Sequence, residues 1–202
     1  ASLIAWILND NGLDVGFLIG GIPNNFGFSA RLGQSEFFVI EGDEYDTSFF
    51  DKRSKFIHYN PQTLVINNIE YDHADIFDNF DDIIKQFHHL LRTMSNKTTI
   101  IMPDKSRGVS EVINQGCWSK IRKFGESSES ETQFEYDSNL SSFKIKSNND
   151  EICKVDTPLI GKHNAANTVA AMLACKTVGL SFNESANSIK RFRNVARRLE
   201  LV

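Results

Sequence analysis

The stretch FVIEGDEYD, residues 38–46, decides the fold class, because a short apolar run gives way at once to acidic side chains. A second stretch, NNIEYDH at 67–73, repeats this pattern after the apolar run 63–66. Open α/β sheets build their ligand sites at such strand ends. A third stretch, GKHNAAN at 161–167, opens a helix with two amides and a histidine. The three stretches together predict an α/β domain that binds a metal ion and a nucleotide.

Apolar runs and helical periodicity alternate along the chain. The clearest helix is predicted at 80–94, where apolar residues recur at helical spacing. Short strands are predicted at 15–19, 37–40, 63–66 and 99–102, and further helices at the start of the chain up to Gly12, at 163–178 and at 183–192. Strands that alternate with helices are typical of a mainly parallel sheet.

Residues 117–155 have a different sequence pattern from the rest of the chain. Short runs with modest β propensity are separated there by polar tracts. They predict a small antiparallel sheet attached to the main body. Residues 20–33 are predicted to form a loop rich in Gly and Asn, and its first part, 20–26, lacks the spacing of a dinucleotide-binding motif and could be a mobile connector on the residues alone. The last helix is expected to begin at Asn183, without Glu or Gln at its third helical position.

The bulk properties indicate one domain with a sizeable core. The chain has 202 residues, is 41% hydrophobic and carries a net charge of −4. That charge gives no support for nucleic-acid binding, and neither a membrane-spanning run nor a signal peptide is expected. Three cysteines without a C-x-x-C pattern predict reduced, mostly buried thiols of a cytoplasmic protein rather than a zinc site: Cys117, Cys153 and Cys175.

The order and spacing of the three stretches resemble the Mur ligase family, whose members are cytoplasmic ATP-dependent enzymes that join an amino acid or peptide to a UDP-muramyl carboxylate. The resemblance covers essentially the whole chain and implies the central, P-loop-type ATPase domain, with a mainly parallel sheet flanked by helices. The run DEYDTSFFDKRSKF at 43–56 is similar to the members that attach a murein tripeptide rather than those that add alanine.

This resemblance implies the ligands of Mg²⁺. Glu41 and His73 stand where the family has its metal-binding residues. On the residues alone, Glu41 could instead cap a neighbouring helix, and His73 could be a loop histidine bonded to its neighbour. Most of the other acids near these two are expected to be structural, because all of them together would over-fill the coordination of the metal: Asp43, Glu44, Asp46, Glu70 and Asp72.

The resemblance also implies a nucleotide pocket. Asn164 and Asn167 share a helix face, and a side-chain amide suits the edge of adenine, with His163 beside them. Asn164 could instead merely cap the helix. Arg197 and Arg198 fall where the family has an arginine that faces the nucleotide phosphates. Arg198 is our choice for stabilising the transferring group, with Arg197 as a nucleotide contact.

The reaction implied by the resemblance uses ATP and Mg²⁺ to activate the lactyl carboxylate of UDP-N-acetylmuramate as an acyl phosphate. The amine of L-alanyl-γ-D-glutamyl-meso-diaminopimelate then attacks it. The only Gly-Lys pair, at 161–162, is followed by His163, so the phosphate-binding Gly-Lys-Thr loop is missing. We therefore expect an excised central domain that is inactive alone, lacking the N-terminal UDP-binding and C-terminal domains. The alternatives are an alanine-adding ligase and a non-catalytic nucleotide-binding module.

Overall fold

The computed structural model describes residues 1–71, 76–137, 141–147 and 152–195. The chain divides into two compact units. The first unit comprises residues 1–41 and 132–202, and the second comprises residues 42–131.

The first unit combines a small mixed sheet, an antiparallel sheet and three helices. Strand β1 pairs in parallel with β3 and antiparallel with β2. Strands β7, β8 and β9 form an antiparallel meander. The elements are α1 (Ser2–Asp10), β1 (Gly16–Leu18), β2 (Ala30–Arg31), β3 (Phe38–Ile40), β7 (Thr132–Tyr136), β8 (Ser142–Ser147), β9 (Ile152–Asp156), α4 (Lys162–Lys176) and α5 (Phe182–Ile189).

Helix α4 is the central helix of this unit. It packs against both α1 and α5. Its sequence is rich in alanine and small apolar residues, so it is buried from Thr168 to Cys175 along every face. A helix that is apolar all round is stable only inside a core. Helix α5 begins with a capping box, in which Ser181 accepts a bond from the Glu184 N–H and Glu184 reaches back to Ser181.

The second unit is a parallel three-stranded sheet with helices against it. Strand β5 lies between β4 and β6 and is parallel to both. Helix α2 buries its apolar stripe, including Ile84, Phe87 and Leu91, and the Asn79 side chain caps its start. The elements are a 3₁₀ turn (Lys55–His58), β4 (Thr63–Val65), α2 (Phe80–Thr93), β5 (Thr99–Pro103), α3 (Arg107–Asn114) and β6 (Lys120–Gly125).

The α/β fold class and the main strands and helices are confirmed, but three details differ from the expectation. Residues 120–125 pair in parallel with β5, whereas an antiparallel arrangement was expected for them. Helix α3 was not predicted, because its eight residues include a glycine, a serine and several β-branched side chains. The last helix begins one residue earlier, at Phe182, and has the Glu184 cap that was thought missing.

The expectation for the cysteines is met. All three cysteines are free, with Cys153 and Cys175 buried and Cys117 half-buried. Among the described residues, no helix combines the length and apolar character that crossing a membrane requires.

Candidate functional site

Glu41 lies immediately after strand β3, where the parallel pairing with β1 ends. Leu18 is the register partner of Ile40, so the loop that leaves β1 runs beside Glu41. The Glu41 backbone N–H donates to the Leu18 carbonyl at 3.0 Å. The Gly20 N–H donates to Oε2 of Glu41 at 2.8 Å. The carboxylate is solvent-exposed, and the hydrogen bond from Gly20 engages only its Oε2.

The loop after β1 is held at its far end by the last described segment of the chain. Pro23 and Val195 form an antiparallel bridge. The Asn25 side chain donates to the Arg191 carbonyl at 3.1 Å and accepts from the Arg193 N–H at 2.6 Å. The loop that contacts Glu41 is therefore also the loop that holds residues 191–195, directly ahead of 197–198 in the sequence.

The close approach of these segments depends on a glycine. A Cβ atom built on Gly21 would lie 2.6 Å from Cγ1 of Val195. Real Cβ atoms do not come this close, so the bridge needs a residue without a side chain at position 21. The Gly20–Gly21 pair was visible in the sequence, but its partners were not.

The amide-rich start of α4 is open to solvent. Gly161 precedes the helix with φ +105°, in the left-handed region that favours glycine, and the His163 imidazole lies over it. His163 and Asn167 are exposed, and Asn164 is half-buried. The Asn164 amide donates to the Ile160 carbonyl at 2.8 Å, so it is not the side-chain cap of this helix.

Three of the predicted site residues cannot be placed. His73, Arg197 and Arg198 lie outside the described residues. Within the described ranges, no group of three or more His, Cys, Asp or Glu side chains is arranged to hold a metal ion. Of the two predicted Mg²⁺ ligands, only Glu41 therefore lies within the described residues. Its exposed carboxylate is the donor type that Mg²⁺ prefers.

The acids that follow Glu41 have partners of their own. Asp43 pairs with Lys55 at 3.2 Å, and Asp46 pairs with Lys52 at 2.8 Å. These ion pairs support the expectation that most of the acids in this stretch are structural. Glu44 and Glu70 line one small cavity of the second unit together with Tyr71. Asp72 lies outside the described residues.

A hairpin at residues 45–55 was not anticipated. Asp46 bridges Ser54, and the Thr47 N–H donates to the Arg53 carbonyl at 2.9 Å. Inside it, the Arg53 guanidinium bonds both oxygens of Asp51 at 2.8 Å. The hydrogen bonds from the Arg53 side chain and backbone hold the pKa of Asp51 well below its usual range. Asp51 is thus negatively charged, and its hydrogen bonds with Arg53 stabilise the hairpin.

The comparison with family models decides the ancestry of this chain. The model described as the Mur ligase middle domain matches residues 1–175. The chain belongs to the Mur ligase family. The resemblance inferred from the sequence motifs is therefore confirmed, and the paired strands that fix Glu41 lie inside the matched Mur ligase region.

Two curated Mur ligase relatives are named UDP-N-acetylmuramate–L-alanyl-γ-D-glutamyl-meso-2,6-diaminoheptandioate ligase. The one from Haemophilus influenzae is 42% identical over 199 residues, 98% of this chain and 44% of the relative. The one from Escherichia coli K12 is 43% identical over 201 residues, 100% of this chain and 44% of the relative. The chain thus spans less than half the length of these relatives.

A solved Mur ligase structure agrees with the fold. The crystal structure of UDP-N-acetylmuramate:L-alanyl-γ-D-glutamyl-meso-diaminopimelate ligase from Neisseria meningitides superimposes with a TM-score of 0.89 at 41% identity. The match covers 97% of this chain and 63% of that chain.

Proposed function

We propose that this chain is the ATP- and Mg²⁺-binding middle domain of a ligase that joins the tripeptide L-alanyl-γ-D-glutamyl-meso-2,6-diaminoheptanedioate to UDP-N-acetylmuramate. The observation that carries the proposal is the identity of 42–43% along essentially the whole chain to two relatives of that name. The working protein, in this proposal, is a cytoplasmic enzyme of cell-wall peptide recycling. Its bound partners are the nucleotide sugar and the peptide.

The proposed reaction has two steps. The lactyl carboxylate of UDP-N-acetylmuramate attacks the γ-phosphorus of ATP, which forms an acyl phosphate and releases ADP. The free amine of the peptide then attacks the acyl carbon, an amide bond forms, and phosphate leaves with the electron pair of the broken C–O bond. In such phosphoryl chemistry the protein mainly positions groups and stabilises charge.

Glu41 is proposed to hold Mg²⁺ together with His73. The metal ion, when bound, neutralises phosphate charge and aligns the transfer. The carboxylate of Glu41 suits this role because the Gly20 N–H engages only Oε2, at 2.8 Å. One oxygen is thus oriented by the protein, and the other can be offered to a ligand. The hydrogen bond pre-organises the group before the metal arrives.

The start of α4 is proposed to bind adenine. Asn164 and Asn167 are three positions apart, so they share a face of the helix. An amide offers a donor and an acceptor, which match the N7 and N6 edge of the base. The exposed His163 ring lies close to this face, over Gly161. Arg197 and Arg198 are proposed to face the phosphates, with Arg198 stabilising the transferring phosphoryl group.

The test uses the full-length protein that contains this chain. It is incubated with ATP, Mg²⁺ and UDP-N-acetylmuramate, and either the tripeptide or L-alanine is supplied. We expect stoichiometric ADP and a UDP-N-acetylmuramyl tripeptide, detected by mass spectrometry. Ligation of L-alanine in preference to the tripeptide would support the alanine-adding alternative. Nucleotide binding without either product would support the non-catalytic module. The 202-residue chain alone, tested in parallel, is expected to form no product.

A further inference from the structure

Tyr136, the last residue of strand β7, contacts the start of helix α4. Its hydroxyl donates a hydrogen bond to the Lys162 carbonyl at 2.7 Å. The Lys162 ammonium lies over the Tyr136 ring, 5.5 Å from the ring centroid. Tyr136 thus holds both the main chain and the side chain of the first residue of α4, through two different interactions.

The antiparallel sheet fixes Tyr136 in turn. Tyr136 is the register partner of Phe143 where β7 pairs with β8. Its ring meets the ring of buried Phe134 edge to face, with centroids 5.4 Å apart. Just beyond the strand, the Asp137 N–H donates to the Ser142 carbonyl at 3.0 Å. The hydroxyl of Tyr136 therefore belongs to an ordered sheet, and it gives the start of α4 a fixed point of attachment.

The start of α4 needs such an attachment because its N-cap residue is Gly161. A glycine has no side chain that could bond the free N–H groups of the first turn, and its backbone is the least restricted of all residues. The Asn164 amide engages the Ile160 carbonyl, which lies ahead of the helix, at 2.8 Å. Tyr136 engages the carbonyl of Lys162, between these two in the sequence. Of the two bonds, only the one from Tyr136 comes from outside the segment, so it ties the first turn to the sheet.

The first turns of α4 carry the residues of the proposed base pocket: His163, Asn164 and Asn167. The buried Thr168 hydroxyl donates to the Asn164 carbonyl at 2.7 Å, within the same helix. The segment therefore moves as one body, and a shift of Lys162 displaces both amides. Hydrogen bonds from an amide to the edge of a base span only about 2.7–3.2 Å, so even a small displacement weakens them.

We propose that Tyr136 is a positioning residue for recognition of the adenine base. Its hydroxyl fixes the first turn of α4 through the Lys162 carbonyl, and this sets where Asn164 and Asn167 meet the base. Tyr136 itself does not touch the nucleotide in this assignment. The inference rests on the proposed function, because the position of the first turn matters to the reaction only if α4 binds the nucleotide.

The experiment measures the binding of ATP and of GTP to the full-length protein by calorimetry. Tyr136→Phe keeps the ring, with its packing on Phe134 and its contact with the Lys162 ammonium, and deletes only the hydroxyl. The Kd of ATP should rise about threefold, in the lower part of the range for one hydrogen bond, and the preference for ATP over GTP should shrink. In ligation, the KM of ATP should rise by the same factor, whereas kcat at saturating ATP and the KM of UDP-N-acetylmuramate should not change.

Three comparisons separate positioning from a purely structural role. Tyr59→Phe, the matched control, removes the same hydroxyl from a half-buried tyrosine of the second unit and should leave every value unchanged. Inorganic tripolyphosphate, tested as a competitor of ATP, has no base, so its affinity should be equal in wild type and Tyr136→Phe. When Tyr136→Phe is added to Asn167→Leu, it should cost less affinity for ATP than it does alone, because one of the amides that it positions is then missing.

The outcomes distinguish this role of Tyr136 from the proposed function. If Asn167→Leu weakens ATP binding and Tyr136→Phe does not, the base pocket stands and the positioning role is overturned. Equal weakening of tripolyphosphate and ATP in Tyr136→Phe would also overturn it, since the hydroxyl would then act on phosphate binding. If Asn167→Leu changes neither ATP affinity nor the ATP/GTP ratio, the base pocket fails and this inference fails with it. All of these results come from binding, so they are independent of which product the protein forms.

Discussion

The Gly20 N–H donates a hydrogen bond to Oε2 of Glu41 across a distance of 2.8 Å. This bond joins the loop after β1 to the end of β3, so the same carboxylate can both order the loop and bind a cation. The two roles differ chemically. A neutral amide oxygen can accept the hydrogen bond, whereas Mg²⁺ favours an anionic ligand.

Glu41→Gln in the full-length enzyme separates these roles. The glutamine keeps the acceptor for Gly20 but removes the charge, so we expect an unchanged melting temperature. We also expect kcat/KM to fall about a hundredfold or more, because an oriented metal ion contributes several kcal/mol to phosphoryl chemistry. The measurement is steady-state kinetics over a range of Mg²⁺ concentrations.

The matched control is Glu36→Gln, which changes an exposed glutamate elsewhere in the same unit. It should be indistinguishable from wild type in both stability and rate. If Glu41→Gln retained wild-type turnover at limiting Mg²⁺, Glu41 would serve only to hold the Gly20 loop.

Asn167→Leu tests the proposed base pocket. The substitution keeps the side-chain volume and deletes both hydrogen-bonding groups, which leaves the adenine edge without its partner. Such a loss costs about 1–3 kcal/mol, so ATP affinity should fall about tenfold or more. The preference for ATP over GTP should also shrink. Both are measured by calorimetry on the full-length protein.

Asn187→Leu provides the comparison, because Asn187 is an exposed asparagine within helix α5. An equal drop in ATP affinity in both variants would point to a general effect of an exposed leucine. An unchanged ATP/GTP ratio in Asn167→Leu would remove that residue from the base pocket.

The parts of the fold that were predictable from sequence are those set by local periodicity. The helix expected at 80–94 is α2 at 80–93, and its apolar stripe is buried as the spacing requires. The position of Glu41 directly after a strand was predictable from the apolar run that ends at Ile40. Its partner Gly20 is distant in sequence, and no local pattern indicates such a bond.

Other features were visible in the sequence, but the predicted helix boundary or strand direction was wrong. The capping box Ser181–Glu184 follows the usual S-x-x-E spacing, yet the helix start was placed at Asn183, one residue too late. Strand β6 was taken as antiparallel because it falls within 117–155, where short runs of modest β character are separated by polar tracts. Its parallel pairing with β5 is decided by tertiary contacts that this local pattern does not encode.

Gly21→Ala tests the close approach of the loop to residue 195. The added methyl group would meet Cγ1 of Val195 at 2.6 Å, so we expect this chain to lose about 1–3 kcal/mol of unfolding free energy in urea. Gly42→Ala is the control, since a Cβ there would meet nothing within 4 Å. Adding Val195→Ala to Gly21→Ala should restore part of the loss. A double variant no more stable than Gly21→Ala would place the strain elsewhere.

Cys175 makes the stability of the fold depend on pH in the alkaline range. Burial raises the pKa of this thiol from 9.0 to about 12, because the thiolate would be desolvated inside the core. A folded-state pKa above the unfolded value means that the contribution is fully present below pH 9 and is lost as pH rises toward 12. The stability advantage of wild type over Cys175→Ala should therefore shrink between pH 8 and pH 10.5, as measured by urea unfolding. In the native state at pH 8, iodoacetamide should modify the half-buried Cys117 and spare Cys175. A constant stability difference across this range, or rapid native-state labelling of Cys175, would contradict its burial.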